Sequence, residues 1–159
     1  MIMTRHFPIA ALFALLMAGA VPAADTGNMT GEWRLNIEKS KWGEKHRPQS
    51  VQIEIRHSEP ELKYSGTVTD ASGLVTKFAF DGAIDDKEYQ VKDGSAVRNV
   101  RIKRISPVTT ATTMKSSDGK ITENTTTTIS QDGKMLTRHI ILKTPEGTTK
   151  WTEVYDRVE

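Results

Sequence analysis

Three turn signals in the second half of the chain, Asp118-Gly119, Asp132-Gly133 and Glu146-Gly147, fall at equal 14-residue intervals. An acidic residue followed by glycine between alternating runs marks a tight hairpin, because glycine takes positive φ with no Cβ to clash. Each interval holds one strand and one turn, so residues 121–129, 135–143 and 148–158 are predicted to be consecutive antiparallel neighbours. A meander of this kind leaves few choices: as strands are added the sheet must twist, split or close.

The first half continues the pattern. Val51, Ile53 and Ile55 line one face of a strand, and Leu62, Tyr64 and Val68 one face of the next, with Gly66 as a bulge or bend. Asp70-Ala71-Ser72-Gly73 turns the chain into a strand carrying Leu74, Phe78 and Phe80, and Asp81-Gly82 and Asp93-Gly94 are read as further hairpin turns. Residues 88–91, 96–105 and 108–114 supply three more strands. With an opening strand over 30–38 the count is about ten, more than one flat twisted sheet holds comfortably. Connections after Pro48 are short, which favours an up-and-down barrel over a sandwich with longer crossings. The expected fold class is therefore all-β: one antiparallel meander that closes where the first strand meets the last.

Parity then nominates an interior. Trp33, Leu35 and Ile37 share one face of the opening strand. If Trp33 points inward, its partners on the closing strand are Trp151, Glu153, Tyr155 and Arg157, while Val154 and Val158 point out. Trp33 and Arg157 are expected in contact as the structural closure of the barrel, guanidinium on indole. The binding wall is expected to comprise Tyr64, Phe78, Phe80, Tyr89, Trp151, Glu153 and Tyr155, with Leu35 and Ile53. A buried Glu153 would require an inward base or a hydrogen bond from Tyr155.

Residues 1–23 read as a signal peptide: Arg5, an apolar run from Phe7 to Ala20, and small residues at Val21-Pro22-Ala23. The run is short of the ~20 residues that span a bilayer, so no stable membrane anchor is expected. Residues 24–159 form one domain, large enough for a single core without disulfides, and the chain has no cysteine. Loss of Arg5 takes the formal charge from +2 to +1. Interspersed charges of both signs give no electrostatic basis for binding nucleic acid.

Gly31-Glu32-Trp33 near the start, with Val154-Tyr155-Asp156-Arg157 at the end, resembles the calycin superfamily of lipocalins and fatty-acid-binding proteins. In lipocalins a Gly-x-Trp tryptophan sits on the first strand at the closed end and a basic residue of the last strand packs across it; Trp33 and Arg157 match both positions. Blocks such as Lys39-Ser40-Lys41-Trp42 and Ser130-Gln131-Asp132-Gly133-Lys134 also resemble exported bacterial proteins of lipocalin-like shape, a group that brings no activity with it. The resemblance implies a small apolar ligand in the barrel. It departs from fatty-acid-binding proteins in two places. Residues 39–50 are too few for a pair of lid helices, and the arginine of the ligand-binding Arg-x-Tyr is replaced by Glu153. A fatty-acid carboxylate beside an ionised Glu153 would be repelled.

No nucleophile elbow, phosphate loop or zinc-protease helix occurs, so the expectation is a non-enzyme with no cofactor and no metal. His46, His57 and His139 lack ligand spacing, and Asp81, Asp85, Asp86 and Glu88 lack the order of a calcium loop. The threonine runs at 109–113 and 125–128 are read as β-propensity on half-exposed strands, and Trp42 as a mouth plug or a partner contact. The functional expectation is an exported module, periplasmic or secreted, that binds a small, largely apolar ligand; the competing reading is a structural or interaction barrel filled by its own side chains.

Overall fold

The computed structural model describes residues 27–43, 45, 47–93 and 96–158. The expected signal segment lies outside them, as does Gly94 of the Asp93-Gly94 pair. Ten strands follow in chain order: β1 (Gly31–Leu35), β2 (Ser50–Ser58), β3 (Glu61–Thr69), β4 (Val75–Ala83), β5 (Glu88–Asp93), β6 (Ala96–Ser106), β7 (Thr109–Ser116), β8 (Thr122–Ile129), β9 (Met135–Thr144) and β10 (Gly147–Arg157). No helix occurs among the described residues. All pairs are antiparallel, in the order β4-β3-β2-β1-β10-β9-β8-β7-β6-β5.

The meander closes where the first strand meets the last, with Trp33 opposite Arg157 and Leu35 opposite Tyr155. Strands β4 and β5, the two ends of the order, share no hydrogen-bonded ladder, so the barrel is nearly closed. Side chains bridge this seam: the Phe80 ring meets Tyr89 edge-on at 5.8 Å. Gly82 lies beneath both rings, and a Cβ there would fall 2.6 Å from Phe80 and 2.9 Å from Tyr89. Asp81-Gly82 is thus not a turn as the sequence pattern suggested; it is inside β4, and the chain reverses over residues 84–87 with Asp86 at φ 60°.

Two later turns are copies of each other. In Ser116-Ser117-Asp118-Gly119-Lys120 and Ser130-Gln131-Asp132-Gly133-Lys134, the aspartate accepts from the serine hydroxyl and from the lysine amide. The hydroxyl in turn accepts the amide that opens the next strand region, Ile121 or Met135. These bonds hold both aspartates below the usual carboxylate range, the serine contact foremost.

Other details depart from expectation. Register runs unbroken past Gly66, so it is neither bulge nor bend; the Phe78 ring lies over it, where a Cβ would sit 2.5 Å from the ring edge. Leu74 is exposed in the turn before β4, and Ile37 lies in a turn after β1. Val154 faces away from the interior yet is buried, because the chain bulges over it: Asn36 donates to its carbonyl, its amide donates to Ser40 Oγ, and pairing resumes at Lys41–Thr152.

One end of the barrel is sealed. Trp33 is 1% exposed and donates its indole N–H to the Met29 carbonyl at 2.9 Å. Arg157 lies over the indole, 4.3 Å from the ring centroid, and donates to the carbonyls of Gly133, Thr30 and Asn28. Gly31, at φ 142°, passes so close to this guanidinium that a Cβ would fall 2.5 Å from it, which is why glycine stands there. The buried His57 accepts the Met29 amide on Nδ1, so its proton is on Nε2, aimed at Glu59 at 3.0 Å; Arg104 also pairs with Glu59.

Candidate functional site

The strands enclose a cavity of about 470 Å3, inside the range of small-molecule pockets. The barrel is not filled by its own side chains. Its two walls differ chemically. β2, β3 and β4 present Val51, Ile53, Ile55, Leu62 and Phe78, an apolar surface. Across from them β7 to β10 present Thr110, Thr112, Thr127, Arg138 and Glu153.

Glu153, 8% exposed, is the centre of the polar wall. It accepts from Arg138, its cross-strand partner, at 3.0 Å, from the Trp151 indole at 2.8 Å and from the Tyr155 hydroxyl at 2.8 Å. Arg138 reaches a second carboxylate, Glu123, at 3.9 Å, and Thr125 donates to that same carboxylate. Burial works against the guanidinium charge, but Glu153 first, then Tyr155 and Glu123, hold Arg138 protonated beyond its ordinary range. Burial pushes the Tyr155 hydroxyl well above its usual value, with Arg138 opposing and Glu153 adding to the rise. Tyr64 is raised by burial too, and from the apolar side it feels the charges of Arg138 and Glu123. Arg138 is three residues from the start of β9, which puts this polar pole ~10 Å above the sealed end.

No family model matches the chain, and no curated protein matches it. Among solved structures, a zebrafish ileal bile acid-binding protein complexed with cholic acid is similar over 81% of this chain and 98% of its own, at TM-score 0.54 and 16% identity. A redesigned β-barrel is similar over 88% of this chain and all of its own, at TM-score 0.51 and 13% identity. The ten-stranded, nearly closed barrel is similar in fold to both. At these identities the likeness is one of fold alone.

Within this barrel, Tyr64, Phe78, Glu153 and Tyr155 line the cavity. Phe80, Tyr89 and Trp151 do not. Phe80 stacks on Tyr64 at 5.2 Å and is spent on the β4–β5 seam with Tyr89, whose hydroxyl donates to Asp85. Trp151 is buried beneath Lys45, whose ammonium lies 4.2 Å from its ring centroid. Trp42 is half-buried against the core, and its indole N–H has no hydrogen-bond partner among the described residues. His139 meets Thr152 on the exposed face, and His46 lies outside the described residues. Among the described residues no three His, Asp or Glu are grouped to hold a metal ion.

The sequence reading passed over Arg138 and Glu123. Both were detectable by parity: Leu136-x-Arg138-x-Ile140 sets a cation on an otherwise apolar face, and Glu123 is in phase with the buried Thr125 and Ile129. The threonine runs likewise split, with Thr110, Thr112 and Thr127 facing the cavity and Thr109 paired with Thr128 on the other face. Glu153→Gln removes the charge that compensates the half-buried Arg138 and should cost ~2 kcal/mol.

Proposed function

We propose that this protein is an exported carrier of a small, largely apolar ligand held inside the barrel. The observation that supports it is the amphipathic cavity of about 470 Å3, apolar on β2–β4 and polar around Arg138 and Glu153. Leaving that apolar surface unfilled forgoes packing a closed core would have gained, which is a cost a binding protein accepts for its ligand. Export rests on the signal-like segment 1–23, and its direct check is the mass of the secreted or periplasmic protein, expected to begin at Ala24.

Native mass spectrometry of the protein purified from its own host tests the carrier reading. A fraction carrying one additional small molecule per chain, removable by organic extraction and restored on re-addition, is expected. Protein that is bare by mass and takes up no apolar molecule on titration would overturn it.

A further inference from the structure

Resting on that carrier reading, we infer that the ligand buries an uncharged, hydroxyl-bearing head against the Arg138 pole and is not a free carboxylate. Charge at the pole comes first. Arg138 is shared by two carboxylates, Glu153 at 3.0 Å and Glu123 at 3.9 Å, so the group carries a formal −1. A third carboxylate would face two others with one guanidinium between them, in a site where water screens poorly. The arginine that an acid would need is already committed.

Hydroxyls supply the complementary half. Tyr64, Thr110, Thr112 and Thr127 line the cavity, and none of their hydroxyls bonds to a described residue. None is a fully enclosed orphan either, so they open onto the cavity space. Each can both donate and accept, which suits an alcohol or polyol head. The mouth points the same way: Lys45, Arg47 and Lys92 line the outer part of the cavity with Asp70, a potential unfavourable to a cationic ligand. Anions are disfavoured within and cations at the rim.

The test is displacement of Nile red, an uncharged apolar dye, from the ligand-stripped full-length mature protein by three dodecyl compounds: 1-monolaurin, dodecanoic acid and dodecylamine at pH 7.5. Monolaurin is expected to bind at least about tenfold tighter than either charged compound. Glu123→Gln and Glu153→Gln should each improve dodecanoic acid by about tenfold or more while leaving dodecylamine no better; Glu123, at the looser pair, is the variant expected to stay folded. Acid or amine binding as tight as monolaurin overturns this inference and leaves the carrier reading standing. No dye uptake, and no displacement by any of the three, overturns both.

Discussion

Two arginines on the inner face of one strand pair, Arg138 of β9 and Arg157 of β10, show how the same side chain is put to different uses. Arg157 lies over Trp33 and spends its donors on the backbone carbonyls of Gly133, Thr30 and Asn28. Its partners are fixed peptide groups, and neither it nor Trp33 lines the cavity. Arg138 faces Glu153 and Glu123 with the cavity beside it. Backbone carbonyls define a position, whereas carboxylates define a charge. The sealed end is therefore read as architecture and the pole as the part that discriminates among ligands.

Changes at the two places should separate accordingly. The largest effect is expected from Trp33→Ala, which removes a ring 1% exposed and the face under Arg157, at ~3–5 kcal/mol in urea unfolding. Arg138→Met leaves Glu153 and Glu123 without their shared cation and should cost ~3 kcal/mol. Adding Glu153→Gln to Arg138→Met should recover part of that loss. Additive free energies for this pair would contradict the coupling drawn here. Arg157→Lys, which keeps the charge and loses the planar fork, should cost ~1 kcal/mol and leave dye affinity unchanged.

A smaller, pH-dependent effect belongs to the sealed end. Burial, with Arg104 adding to it, holds His57 below the ordinary histidine value of 6.5 even though Glu59 is near, because that carboxylate is already paired with Arg104. The neutral ring is the form that accepts the Met29 amide. On acidification the unfolded chain takes up the proton first, so this contribution is complete above pH 6.5 and is lost as pH falls toward the lower folded value. His57→Asn, which keeps an acceptor for Met29, should flatten the stability profile between about pH 7 and 5. An unchanged slope would remove His57 from the account.

Much of this arrangement was legible in the chain. Alternation and the 14-residue turn spacing lead to the strand order, and the pairing of the Gly-x-Trp strand with the Tyr155–Arg157 segment follows from closure. The failures have one physical source: local patterns do not say which inward residues are used up by other contacts. Phe80 and Tyr89 are inward and aromatic, yet they serve the β4–β5 seam, whose lack of a ladder has no local signature. Gly82 looked like a turn because glycine marks both positive φ and crowding, and here it marks crowding. Val154 is outward and still buried, since only the folded course of residues 36–41 covers it. At the pole, Glu153 was readable from parity, but Arg138 as its partner needed the β9–β10 register.

The claim that the interior is a binding space is tested most directly by filling it. Thr112→Phe places a ring in the cavity from the polar wall, at a position whose cross-strand partners are Ile102 and Thr125 and that belongs neither to the sealed end nor to the Arg138–Glu153 pair. Fluorescence titration with Nile red is predicted to show one site per barrel in the parent protein and at least about a tenfold weaker site in Thr112→Phe, with unfolding midpoints equal or higher for the filled variant. Equal dye affinity in the two proteins would place binding outside the barrel and contradict the account.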